Sequence, residues 1–276
     1  MEMLSLKIKG RNKKECQDSV YIRKLKCKES EVVVFALSDG AGSSPKSRIG
    51  SEFATRTFVK QVIKNIRKHK IVNNKDIEDL VRKSYEDLIS EFRERFYPNF
   101  KDYYATFVGG ILIISEDSPK AGFISVGDSV LFLLKRTSDG SYKVVGKNQI
   151  LKGEFINSTF FFNDFWGYYA YDIQVHEDFD AILLFSDGFE NLLYKERKID
   201  TNPNRKFHEI HRWESEILET LPTLMHYFED LDRDNFKKSL EDTYQSDSFM
   251  DKNDDDKSLI IIGRISNGES KRDLEQ

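Results

Sequence analysis

The chain has 276 residues and a formal net charge of -4, enough length for a sizeable core and no global attraction for nucleic acid or an anionic membrane. Its two cysteines, Cys16 and Cys27, are too few for a disulfide framework or a thiolate zinc site and fit a reducing compartment. The opening "MEMLSLKIKGRNKK" lacks the apolar stretch of a signal peptide, and the longest apolar runs, "ILII" and "AILLF", fall far short of a bilayer span. A soluble, cytoplasmic protein with no nucleic-acid or membrane partner is the expectation.

Three short β-rich runs come first: "LSLKIKG", "SVYIRKL" and "VVVFALS", the third apolar on both faces as a central strand would be. After the turn "GAGSSP", Phe53, Phe58, Val62 and Ile66 recur at helical spacing, and a second helix repeats the period with Leu80, Tyr85, Leu88 and Phe92. The basic run "KNIRKHK" (Lys64 to Lys70) reads as a solvated helix face. Strands resume with "YATFVGGILIIS", "KAGFISVGD", "SVLFLLKR" and "GSYKVVG", separated by turn residues in the manner of an antiparallel meander. The aromatic stretch from Phe155 to Val175 carries no clear period, whereas "DAILLFSDG" is a buried strand. Helical patterns follow in "RWESEILETLPTLMHYFEDL", interrupted at Pro222, and in "DNFKKSLEDTYQ"; "KSLIIIGRI" supplies a last strand. Strands and helices come in blocks, which favours α+β with helices covering antiparallel sheets over a doubly wound parallel sheet. No linker divides the chain, so one domain is expected over residues 3–265, followed by a polar, disordered tail over 266–276.

The phrase Ser-Asp-Gly ends two apolar strands, at Asp39 and at Asp187. Asp18 precedes a strand, Asp255 sits just before the final strand, and Asp128 occupies a turn between two strands. A single such aspartate is a cap or turn residue more often than a functional one. If the sheets bring these strand ends together, several carboxylates converge without histidine or cysteine, a ligand set suited to hard divalent cations such as Mn²⁺ or Mg²⁺ rather than zinc. Two ions sharing one carboxylate can activate water against a phosphoryl group, so phosphate-ester hydrolysis is the natural chemistry. Competing motifs are weak. "GAGSSP" lacks the third glycine of a dinucleotide turn and the Gly-Lys-Ser/Thr of a P-loop, "HEIH" (His208 to His211) lacks the i,i+4 spacing of a helical zinc pair, and no GxSxG elbow occurs.

In order along the chain, "ECQDS", "SDGAGS" before a helix, "YATFVGG", "FISVGDS", "LLFSDGFE" and "DDKSLIII" resemble the metal-dependent serine/threonine protein phosphatases of type 2C, in their bacterial form. That resemblance implies two antiparallel sheets flanked by helices on both sides, an α-β-β-α sandwich with a metal pair at one end. It implies that Asp39 bridges two Mn²⁺ or Mg²⁺ ions, that the Gly40 carbonyl binds one, that Asp187 and Asp255 complete the other, and that Asp128 helps to hold a third. Asp39 and Asp187 would then be the catalytic residues. The chain departs from the pattern at Gln17-Asp18, where many members have Glu-Asp, so an anionic ligand is lost or its role falls on Asp18. Lys13 stands where the phosphate-gripping arginine is usual, with Arg11 or Lys14 as substitutes; Ala41 replaces a histidine found in some relatives, and Val130 the arginine of "GDSR". The reaction implied is hydrolysis of phosphoserine and phosphothreonine in a phosphorylated protein substrate, by a monomer. The alternative is an inactive relative that binds phosphoproteins as a regulatory module, a reading fed by Gln17 and Lys13 and opposed by the retained aspartates. The aromatic insert 155–169 falls where the family has a variable flap, and its rings are expected either in the core or against a partner protein.

Overall fold

A computed structural model describes residues 1–27, 30–68, 71, 73–115, 118–151, 159–165, 167–192, 221–251 and 253–264. The amino-terminal half of the helical pattern around Pro222 and the polar tail lie outside them. The described strands form two five-stranded antiparallel sheets. One contains, in spatial order, β1 (Glu2–Ile8), β10 (Lys257–Gly263), β9 (Ala181–Phe185), β6 (Val130–Arg136) and β7 (Tyr142–Lys147). The other contains β2 (Ser19–Cys27), β3 (Ser30–Ser38), β4 (Phe107–Ile114), β5 (Lys120–Val126) and β8 (Asp172–Glu177).

Period-two alternation stacks these sheets face to face. Val33, Phe35 and Leu37 of β3 meet Leu131 and Leu133 of β6, Ile182 and Leu184 of β9, and Ile260 and Ile262 of β10 in an inter-sheet core. The intervening β3 residues, Val32, Val34 and Ala36, face outward onto α1 (Ser47–Ile66) and α2 (Asn74–Phe96), where Phe58, Val62, Leu80, Tyr85, Leu88 and Phe92 are buried. That is why β3 is apolar on both faces. The other sheet turns Leu183, Phe185 and Ile261 outward onto the helical residues 221–230 (α3), α4 (Arg233–Gln245) and α5 (Asp247–Met250), through Met225, Phe228, Leu240 and Met250. The result is the expected α+β sandwich of four layers. Among the described residues no helix is long and apolar enough to cross a membrane.

Helix α2 starts at a capping box: the Asn73 side chain accepts the Asp76 N–H at 3.1 Å, and the Asp76 carboxylate accepts the Asn73 N–H at 3.1 Å. Pro222 falls within the described helical residues 221–230.

The expected meander is corrected. β4 and β5 pair in one sheet and β6 and β7 in the other, so the chain changes sheets at Gly127-Asp128. Gly127 has φ of +101°, a conformation that a side chain disfavours, and a Cβ there would lie 2.7 Å from Thr106. Turn residues mark where a strand stops but not which sheet takes the next one. The aperiodic aromatic stretch also ends in a strand, β8, which pairs with β5; its residues are half-buried with no alternation to betray them.

Candidate active site

The alternation that builds the inter-sheet core continues beyond the strand ends. Asp39 follows Val33, Phe35 and Leu37 in the series facing the opposite sheet, and Asp18 precedes Val20 and Ile22, which border the same core. Ser19 pairs with Ser38, and extending that register by one residue sets Asp18 opposite Asp39 on one face. From the other sheet, Asp187 opens a 3₁₀ turn (Asp187–Leu192) at the end of β9. The Asp39 carboxyl interacts with Asp18 and with Asp187, so both sheets contribute to one row of carboxylates.

Asp18 is 1% exposed, and neither of its carboxylate oxygens completes a hydrogen bond. The Asp39 carboxyl and the hydroxyls of Ser258 and Ser186 stand beside it, and the Ser186 Oγ accepts the Ser258 N–H at 2.9 Å. Burial holds the Asp18 pKa above its ordinary value; the adjacent Asp39 and Ser258 oppose that shift, and the Asp256 charge reinforces it. Asp39 is held well above the carboxylate range, first by burial and then by the charges of Asp18 and Asp187. A buried row of this kind penalises its own ionisation unless a cation sits among the oxygens. Among the described residues no three His, Cys, Asp or Glu side chains form a ready-made cage; the row is open, with Asp39 as its shared member.

A second acidic cluster borders the row. Asp256 is buried, its Oδ1 accepting the Gly10 N–H at 2.8 Å and its Oδ2 the Gln17 N–H at 2.7 Å. Lys13 reaches the same place, 3.4 Å from Asp256 Oδ2 and ion-paired to Asp255 Oδ1. Burial alone would lower the Lys13 pKa, but the hydrogen bond to Asp255 and the charges of Asp255, Asp256 and Asp39 outweigh it and hold the ammonium above its ordinary range. Beneath the cluster the fully buried Lys257 donates to the carbonyls of Asn253 at 2.7 Å and Asp255 at 2.8 Å, closing the loop that carries these aspartates.

The profile of the protein phosphatase 2C family matches residues 9–241. The chain belongs to the protein phosphatase 2C family. Solved structures agree on the fold. The serine/threonine phosphatase Stp1 from Staphylococcus aureus aligns with a TM-score of 0.63 at 12% identity, covering 96% of this chain and 95% of that one. The S. agalactiae serine/threonine phosphatase aligns at 0.59 and 14%, covering 94% and 98%. The catalytic domain of the serine threonine protein phosphatase PstP, solved in complex with two manganese ions, aligns at 0.51 and 14%, covering 96% and 98%. No curated protein matches the sequence.

Against that family pattern, the structure brings Asp18, Asp39 and Asp187 together and sets Lys13 and Asp255 at their edge. Gly40 is buried next to Asp39 and bridges to Ala105; a Cβ on it would come within 2.7 Å of the Gln17 carbonyl oxygen. Asp128 follows the sheet-changing Gly127. Its turn is tied to Asp39 through Thr106, whose Oγ1 accepts the Asp39 N–H at 3.2 Å and shares a hydrogen bond with the Ser129 hydroxyl at 3.2 Å. Arg11 is directed elsewhere: its guanidinium pairs with Asp247 at 2.8 Å, the first residue of α5, and with Asp251 at 2.9 Å, the residue that caps its end. Gln17, half-buried, donates its carboxamide N–H to the Ser47 hydroxyl at 2.7 Å, at the start of α1.

Sequence reasoning passed over Asp256, Lys257, Ser186 and Ser258. A signal for two of them existed: counting back in twos from the inward-facing Ile260 of β10 reaches Ser258 and then Asp256, whereas Asp255 falls on the other parity.

Proposed function

We propose that this family member is a divalent-metal-dependent phosphatase that removes phosphate from phosphoserine and phosphothreonine in proteins. The observation that carries the reading is the buried carboxylate row of Asp18, Asp39 and Asp187, in which both oxygens of Asp18 are buried with no hydrogen bond. A fold gains nothing by packing such a row together unless something positive is held there. An all-oxygen set fits Mn²⁺ or Mg²⁺.

Asp39 would serve two ions at once, with the Gly40 carbonyl on one and Asp187 and Asp255 on the other; Asp128 would help to hold a third. Asp18, rather than Gln17, provides the carboxylate at the start of β2, since the Gln17 carboxamide is directed to Ser47. The ions, when bound, supply Lewis-acid activation of water and neutralise charge on the phosphoryl oxygens. Lys13 places an ammonium beside the row, where a phosphoryl group would meet it as a point charge. Arg11, spent on α5, is left to brace the Gly10–Lys13 turn.

The test is hydrolysis of a phosphopeptide panel with Mn²⁺, with Mg²⁺ and in excess chelator. Turnover of phosphoserine and phosphothreonine peptides that is lost in chelator and restored by either ion is the expected result. Full activity in chelator, or no hydrolysis of any phosphopeptide with either ion, would sink it.

A further inference from the structure

Lys13 has a second role beyond meeting phosphate. Its turn is clamped: the Lys13 N–H donates to the Gly10 carbonyl at 3.2 Å, the Asn12 N–H donates to the Asp254 carboxylate at 3.1 and 3.2 Å, and the Arg11 N–H donates to the same carboxylate. A Cβ on Gly10 would lie 2.1 Å from the Asp254 carbonyl oxygen, so the turn and the acidic loop are in close contact. The ammonium is therefore delivered from a fixed base, and the freedom that remains is in the side chain. Of the two carboxylates it reaches, Asp256 is immobilised, both oxygens holding backbone N–H groups. Asp255 is the adjustable one. It is 41% exposed, and the Oδ1 that pairs with Lys13 also accepts the Asp256 N–H at 2.8 Å.

We propose that Lys13 is a resident counter-ion of Asp255, which a divalent cation must displace before that carboxylate can serve as its ligand. The inference rests on Asp255 being a metal ligand, as in the proposed function. A lysine suits the exchange. Its ammonium is a compact charge on a flexible stem, able to leave one carboxylate oxygen by rotation, where an arginine would hold on through a fork of two donors. The cost appears as a reduced apparent affinity, because only the fraction of molecules with Asp255 released from Lys13 is competent to bind. Displacement leaves the ammonium between Asp256 and Asp39, so the same ion that completes the centre releases from Asp255 the cation that meets phosphate.

The experiment is calorimetric titration of the protein with Mn²⁺ alone, in the wild type, Lys13→Met, Asp255→Asn and the double variant, with a melting curve for each in chelator. Lys13→Met is expected to tighten the weakest Mn²⁺ step by about tenfold, corresponding to a tenth of the molecules being competent in the wild type, and to lower the melting temperature in chelator. In the Asp255→Asn background the same substitution should change Mn²⁺ affinity by less than about twofold, because residues that act on one another are not additive. An equal gain in both backgrounds would mean a long-range charge effect, and an unchanged or weaker step would mean no exchange; either overturns the inference. If Lys13→Met does not fold, Lys13→Gln carries the same comparison. Mn²⁺ binding without phosphopeptide hydrolysis would remove the phosphatase reading and leave this one standing. A wild type that binds no Mn²⁺ would remove both.

Discussion

The two Ser-Asp-Gly phrases, one at the end of β3 and one at the end of β9, are identical in sequence and are built differently. After Ser38 the chain stays extended: Asp39 keeps the inward parity of its strand, Gly40 bridges to Ala105, and the Ser38 hydroxyl donates to the Thr106 carbonyl at 2.5 Å. After Ser186 the chain coils at once into a 3₁₀ turn, and the Ser186 hydroxyl accepts the N–H of Ser258. Gly40 faces the Gln17 carbonyl, whereas Gly188 passes the Asp256 carbonyl so closely that a Cβ would lie 1.8 Å from its oxygen. What differs is the neighbour. One phrase leaves its sheet between β2 and β4, the other between β10 and β6, and each serine and glycine is used for what those neighbours present.

The comparison can be broken first at the aspartates. Asp39 is flanked by two carboxylates and is the shared member of the row, so Asp39→Asn should lower kcat/KM on a phosphopeptide by about a thousandfold, equivalent to ~4 kcal/mol of barrier, and by more than Asp187→Asn does. In chelator the same variant should melt higher than the wild type, because the amide removes a group whose ionisation its surroundings oppose. Equal activity losses at both positions would mean that Asp39 is not the shared ligand.

A smaller effect is expected at the glycines. Gly188→Ala forces backbone against backbone and should cost about 3 kcal/mol in denaturant unfolding. Gly40→Ala, with its nearest contact at 2.7 Å, should cost about 1 to 2 kcal/mol. Reversal of that order would show that the turn after Asp187 can relax and the extended segment cannot.

The third test moves one strand over, to the residue opposite Asp39. Asp18→Asn should raise the Mg²⁺ concentration for half-maximal activity by about tenfold, since charge count governs affinity for hard cations. Gln17→Glu should change it by less than about twofold, because that side chain is directed to Ser47. A marked gain from Gln17→Glu would return the anionic role to position 17.

The smallest difference should lie between the serines. Ser186→Ala leaves the buried Ser258 N–H without its acceptor and should cost about 1 to 3 kcal/mol, while Ser38→Ala removes a donor from a carbonyl and should cost about 1 kcal/mol. Thermal melts of the two variants side by side would resolve it.

Much of this site was legible in the chain. Two apolar strands ending in aspartate, three further aspartates at strand boundaries and the order of the motifs mark the protein phosphatase 2C fold and its oxygen-rich centre. The choice between Gln17 and Asp18 was not, because both stand before the same strand and only the register with β3 sets one of them against Asp39. Nor was the choice between Arg11 and Lys13. Both are cations on one turn, and it is the placement of α5 that draws Arg11 away to Asp247 and Asp251.

By itself the sequence determined what depends on near neighbours: where strands and helices run, through periods of two and 3.6, where a turn must hold glycine, and that acid residues sit at strand ends. The tertiary structure alone decided which sheet received β6 after the Gly127 turn, that β3 and β9 end at one place, and that Asp256, Lys257 and two serines stand around Asp18. These are encounters between residues far apart in the chain, fixed by how two sheets and their helices exclude water together. No local pattern carries that information, so the carboxylate row exists only once the core between the sheets has closed.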